Sequence, residues 1–249
     1  MKVEPMCAFL ALWNDVDPAC IAEYEAWHQQ EHVPERVSVP GILSGTRYES
    51  DRADQQRYFT LYELTSLTCL ASQPYRQLVE QPTPWSVRMR RSFRNFLRLT
   101  CQLCVTAGDE VGNGVAVERI VWHPAAAPSL TALGKLTRLV SRREFELPLS
   151  RILIGVSRAA GPQALRNVDD APEGIEAVFV LQSESPAELS DVGEHFRQRI
   201  SASLQAPVWR RSSTFRRISH IVGKSVGGGQ ERPSPRSDLM ESWEKRHFA

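Results

Sequence analysis

The chain has 249 residues, 42% of them hydrophobic and 24% charged, enough to bury one large core or two modest ones. Thirty basic against 29 acidic side chains leave a net charge of +1, so no overall field draws it to nucleic acid or to anionic lipid. No run approaches the roughly 18 apolar residues of a membrane span. The start lacks a signal peptide's bare positive charge, and the five cysteines are odd in number and scattered, so the expectation is a cytoplasmic protein with reduced thiols.

In chain order, Cys7 to Trp13 is a continuous apolar run that reads as a buried strand. Asp17-Pro18 opens a helix carrying Ile21, Tyr24, Trp27, His28 and His32, with Pro34 predicted to stop it. Pro40-Gly41 punctuates before a strand from Ile42 to Glu49, and a polar turn leads to a second strand, Tyr58 to Leu64. A helical region broken by Pro74, Pro82 and Pro84 follows, and Phe96 to Thr106 closes this half as a strand. Cys101 and Cys104 lie within that strand, where alternation sends residues three apart to opposite faces.

The second half repeats the order. Strands are predicted at Val115–Trp122, Ser150–Ala159, Glu176–Ser183 and Thr214–Val222, with helices at Ser129–Arg143 and Pro186–Leu204. Three landmark pairs support the repeat: Trp13 with Trp122, Gly45 with Gly155, and Phe96 with Phe215. The expected architecture is α+β: two tandem ferredoxin-like βαββαβ repeats, residues 1–110 and 111–223, with antiparallel sheets packed face to face as an α/β barrel whose interior offers room for a ligand. Residues 224–249 read as a flexible tail, a glycine linker followed by a short helix from Asp238 through Trp243 to Phe248.

The chemistry concentrates in the first half. His28 and His32, four apart, share one helix face, with Glu31 beside them. A histidine at a helix end, near a carboxylate, is expected to have a raised pKa, and burial opposes that rise. A balance near neutrality suits general acid/base work; the alternative is a histidine that only caps carbonyls. The letters His28-Gln29-Gln30-Glu31-His32 also satisfy a zinc-peptidase pattern, for which Glu80 or Glu110 would have to supply a third ligand. Pro82-Thr83-Pro84 fixes a stiff turn that presents Trp85 and Arg88 to a pocket or, as the favoured alternative, seats Trp85 in the core. The basic run Arg88, Arg90, Arg91, Arg94, Arg98 reads as one solvated helix face, with an anion site as the other reading.

The segment from Tyr24 to Arg36, with Val39-Pro40-Gly41 and Thr46-Arg47-Tyr48, resembles the dimeric α/β-barrel superfamily, and within it the EthD-like branch. The resemblance covers roughly the first hundred residues. It implies a pocket in the first half, with His32 as an acid/base or polar group, Arg47 and Tyr48 as a substrate-facing pair on the second strand, and Trp27 beside them. The second half reads Ser141-Arg142-Arg143 at the matching positions and carries no histidine there. The expectation is therefore an acid/base enzyme without a cofactor, of lyase, isomerase or cyclase type or a monooxygenase, acting on a small apolar or aromatic carbonyl compound. His32 would move the proton, His28 and Glu31 assist, and Arg47 hold an oxyanion or carboxylate, with Trp85 and Arg88 as further candidates for substrate contact. A non-catalytic ligand-binding or assembly protein and a zinc-dependent hydrolase are the alternatives. A small-molecule substrate is the expected partner, and a homodimer is left open.

Overall fold

The computed structural model describes residues 5–129, 131–133, 149–158, 161, 171–223 and 232–247. Eight antiparallel strands close into a barrel. They are β1 (Ala8–Val16), β2 (Ile42–Glu49), β3 (Tyr58–Leu64), β4 (Phe93–Ala107), β5 (Gly114–Trp122), β6 (Leu149–Ser157), β7 (Ile175–Ser183) and β8 (Trp209–Val222). Around the barrel the order is β1-β3-β2-β8-β5-β7-β6-β4. The first four strands thus stand together as β4-β1-β3-β2 and the last four as β8-β5-β7-β6, the same order twice. The two sets are joined by β2 with β8 and by β4 with β6.

β1, β3, β5 and β7 are largely apolar because both of their faces are covered, whereas β8 is arginine-rich and only partly buried. One face points into the barrel, where Phe9, Trp13, Phe59, Leu61, Val117, Val180 and Phe215 pack against one another. Buried ion pairs sit toward its two ends: Arg151 with Glu63 at 2.6 Å, and Arg119 with Glu176 at 2.6 Å. The expected room for a ligand inside the barrel is therefore filled by side chains. The other face of the first four strands lies under α1 (Ile21–Trp27), a π-helical turn (His28–His32), α2 (Val33–Val37), α3 (Gln73–Glu80) and α4 (Pro84–Arg90). Ser72 caps α3 by accepting from the Tyr75 N–H, and Thr83 caps α4 by accepting from the Ser86 N–H. In the second half α5 (Leu189–Ser203) covers β5 and β7 through Leu189, Val192 and Phe196. Among the described residues no helix is long and apolar enough to cross a membrane.

Several expectations need correction. Pro34 does not stop the helix. The Val33 N–H bonds the His28 carbonyl five residues back, and the helix runs on until the Ser38 N–H bonds the Pro34 carbonyl at 3.2 Å. The wider π turn comes just where proline has no N–H to give and would clash with a carbonyl four residues back. The Asp17 side chain caps nothing; it pairs with Arg94 at 2.6 Å. The three landmark pairs fall on opposite faces of their strands. Trp13 and Phe215 point into the barrel while Trp122 and Phe96 point toward helices. A Cβ on Gly45 would meet Val33 and Tyr62 under the helices, whereas one on Gly155 would meet Phe9 inside the barrel. Side chains alternate with a period of two, so these letter matches are one residue out of phase and carry no weight for a repeat. Cys101 and Cys104 do part to opposite faces, the first into the barrel and the second under the second-half helices.

Most of the predicted helix Ser129–Arg143, the glycine linker and Phe248 lie outside the described residues. The tail helix forms as α6 (Ser237–His247) and packs Leu239 and Met240 against Tyr24, Trp27 and Trp85 of the first half.

Candidate functional site

Between the first-half sheet and its helices lies a cavity of about 80 Å³. At ~10–15 Å³ per water position this is room for about half a dozen waters. Every lining residue falls between Leu10 and Arg98. The floor is the helix-facing side of the sheet: Leu10, Leu12 and Asn14 of β1, Thr60 and Tyr62 of β3, Phe96 and Arg98 of β4. The roof is Trp27, His28, His32 and Arg36 from the helix around the π turn, with Tyr75 and Val79 of α3 and Arg90 of α4. Asn95 takes a left-handed φ of 47°, and the β1–β4 register shifts beside it. This bulge brings Phe93 and Phe96, three apart, onto one face, their rings 6.0 Å apart at the cavity wall.

The π turn sets the two histidines. Their ring centroids are 5.0 Å apart, His28 lies 5.0 Å from the Tyr24 ring, and His32 lies 4.4 Å from the Trp27 ring. Trp27 is held by its own indole N–H, which donates to Ser86 Oγ at 3.2 Å. His28 is buried and His32 half-buried, and the Nδ1 of each is shielded from solvent with no hydrogen-bond partner among the described residues. The same holds for Arg36 Nη1 and the Tyr62 hydroxyl. A buried polar group left unpaired costs ~1–3 kcal/mol, so four in one cavity mark a surface built for something polar to bind.

Electrostatics there run opposite to the expectation for a helix-end histidine. Burial pushes the pKa of both His28 and His32 well below the ordinary value, and nearby guanidinium groups push the same way: Arg47 and Arg36 on His28; Arg36, Arg90 and Arg47 on His32. The histidine pair is neutral at physiological pH. Because the helix continues to Val37, no free carbonyls at His32 favour its cation. Burial holds the Tyr24 phenol up at about 12, and its hydroxyl donates to Asn14 Oδ1 at 3.2 Å.

Of the residues chosen from sequence, His28, His32 and Trp27 line the cavity. Glu31 is turned away, accepting from the Thr83 hydroxyl at 2.5 Å and from the Arg236 backbone N–H at 2.7 Å, so it pins α4 and the tail to the helix. Arg47 is buried against Glu25 at 2.9 Å and acts on the histidines through its charge alone. Tyr48 points into the barrel, where its hydroxyl accepts from Gln182 Nε2 at 3.3 Å. Trp85 packs in the core and donates to Glu23 at 3.0 Å. Arg88 pairs with Glu23 at 3.0 Å and with Glu244 of the tail helix at 2.5 Å.

Arg36 and Tyr62 are lining residues not chosen from sequence as site residues, and Arg90 and Arg98, read there first as a solvated face and otherwise as an anion site, line it too. The basic run is not one helix face: Arg88 and Arg90 belong to α4, while Arg94 and Arg98 belong to β4. Arg90 and Arg98 reach the cavity and Arg94 stays exposed. The turn residues around Arg91 and Ser92 between the two elements were the signal. For zinc, no group of three or more His, Cys, Asp or Glu side chains comes together among the described residues, so His28 and His32 find no third ligand there.

No family model matches this sequence, and no curated protein matches it significantly. Solved structures do match its fold. An anthrone oxidase-like protein superposes with a TM-score of 0.58 at 11% identity, over 94% of this chain and 98% of that one. A "putative monooxygenase" from Lactobacillus acidophilus NCFM superposes with a TM-score of 0.56 at 12% identity, over 88% and 97% of the two chains. Another, from Fusobacterium nucleatum subsp. nucleatum, gives 0.55 at 10% identity over 92% and 99%. The likeness is one of fold, and here a single chain supplies all eight strands of the closed barrel.

Proposed function

We propose that the first-half cavity is the active site of an enzyme that moves a proton on a small apolar or aromatic carbonyl compound. The observation that carries the reading is the pair of imidazoles, held neutral, facing a cavity whose walls also bring guanidinium groups. His32 takes the proton from the carbon beside the carbonyl, and His28, in ring contact with it, steadies the resulting imidazolium. A depressed pKa makes His32 a weak base toward solvent. The cost falls when the proton comes from a bound substrate, because the enolate appears together with the imidazolium and next to Arg36.

Three fates of that anion fit the site. Reprotonation elsewhere gives isomerisation, and expulsion of a leaving group gives a lyase reaction. Capture by dioxygen gives cofactor-free oxygenation, the fate that the descriptions of the fold neighbours favour. Membership of the EthD-like branch belongs to the same proposal, resting on the Tyr24 to Arg36 segment, as does the division into a site-bearing first repeat and a degenerate second one, resting on the strand order.

Hydrogen–deuterium exchange tests this. Aromatic ketones with an acidic C–H, such as anthrone, tetralones and indanones, are incubated with the protein in D2O and followed by proton NMR. Wild type should accelerate exchange for a subset, and His32→Gln should lower that rate about 100-fold or more. Exchange at the wild-type rate in both His32→Gln and His28→Gln would refute the reading.

A further inference from the structure

Charge accounting around the cavity goes beyond proton transfer. Arg36, Arg90 and Arg98 are lining residues, and no aspartate or glutamate is. Four carboxylates on the roof helix lie within reach of this region, and each is engaged elsewhere. Glu23 accepts from Trp85 and Arg88, Glu25 pairs with Arg47, Glu31 accepts from Thr83 and the Arg236 N–H, and Glu35 pairs with Arg232 at 2.6 Å. Arg36 is 6% exposed, its guanidinium rests over the Tyr75 ring at 5.5 Å, and its Nη1 has no hydrogen-bond partner among the described residues. Arg90 is half-buried and gives one long bond, 3.4 Å, to the Val79 carbonyl. Burial first, and then the charge of Arg36, weaken the hold of Arg90 on its proton, with Glu35 and Tyr75 opposing in part. Glu35, held by Arg232, offsets part of this charge from behind the wall, but no carboxylate among the described residues lines the cavity itself. A guanidinium fork fixed by packing beside a second one matches a planar oxyanion. The remaining wall is Trp27, Phe93 and Phe96 over Leu10 and Val79, the surroundings of one flat apolar ring.

We infer that the natural occupant enters as a small aromatic acid already ionised, its carboxylate held by Arg36 and Arg90 and its ring among Trp27, Phe93 and Phe96. This names the substrate class for the site proposed above and rests on that reading for its location. The acid group anchors the ring, and the carbon beside the carbonyl, which loses or gains the proton, is then presented to the histidines by a fixed charge pair. A ligand lacking the acid would leave Arg36 buried and unpaired.

The test uses matched pairs of aromatic ligands, benzoate with benzamide, 2-naphthoate with 2-naphthamide, and 2-acetylbenzoate with 2-acetylbenzamide. Binding is measured by ligand-observed NMR and calorimetry at pH 8 in low-chloride buffer. Wild type should bind at least one acid about tenfold or more tighter than its amide. Arg90→Gln, a half-buried position, and Arg36→Gln should each weaken the acid more than the amide and bring that ratio close to one. His32→Gln should keep the ratio and lose exchange. Equal affinities within every pair, binding of neither member of any pair, or a ratio unchanged in the folded arginine variants would overturn the inference. The wild-type comparison decides even if Arg36→Gln does not fold. Exchange that depends on His32 without acid preference would leave the proton-transfer reading standing alone. Acid preference without exchange would do the reverse.

Discussion

Acidification should weaken this fold through His28 and His32 in a way that can be isolated. Both are held neutral in the folded protein, well below the 6.5 that an unfolded imidazole shows. Below pH 6.5 the unfolded chain therefore binds up to two more protons than the folded one, and stability rises with pH across that range. Their contribution is complete above 6.5 and is lost progressively as pH falls from there toward the depressed folded values. The limiting slope is about 1.4 kcal/mol per pH unit for each histidine, about 2.7 for the pair. Between pH 7.5 and 5.5 the loss integrates to about 2.7 kcal/mol. The assay is urea unfolding followed by tryptophan fluorescence at half-unit pH steps, for wild type and for His28→Gln/His32→Gln. The variant lacks the two imidazoles, so the difference between the curves removes His220, whose pKa is also lowered by burial, and every carboxylate. Wild type should lose about 2.7 kcal/mol more than the variant over that interval. A difference below about 1 kcal/mol would mean that the imidazoles are not held neutral, and the account of His32 as a base ready at neutral pH would fall with it.

Two further tests probe what holds the site in place. Gly155→Ala sets a Cβ 2.5 Å from the Phe9 ring inside the barrel, an overpacking that should cost about 1–3 kcal/mol in chemical denaturation. A change under about 0.5 kcal/mol would show that the interior has slack. Arg232→Ala leaves Glu35, 2% exposed and already pushed up in pKa by burial, without its hydrogen-bonded cation. The expected loss is about 1–3 kcal/mol, discounted toward the lower end because Arg232 is partly exposed, and thermal unfolding that matches wild type would refute it.

What the sequence disclosed follows from which physical signal each feature leaves in a single chain. Strands such as β1, β5 and β7 were legible because both of their faces are covered, giving apolar runs that no helix period explains. Facing was not, since a period of two tolerates no slip: Trp13 and Trp122 are both tryptophans one residue out of phase, one in the barrel and one under α5, and letters alone do not carry that parity. The histidine pair was legible because spacing of four survives whether the turn is α or π. Its electrostatics were not, because the expected helix end rested on Pro34, and the π turn carries the helix past it. For Arg90 and Arg98 the sequence left a solvated face and an anion site both open and favoured the first, because their place at the cavity depends on a turn between α4 and β4 and on the left-handed Asn95 that re-aims the strand. A run of arginines at helical spacing looks solvated until the chain is seen to change from helix to strand within it. Two of the five then meet Arg36 from a third element, and a cationic wall exists only in that meeting. Cavities lined from three elements are where single-sequence reading is weakest and where the choice of substrate is made.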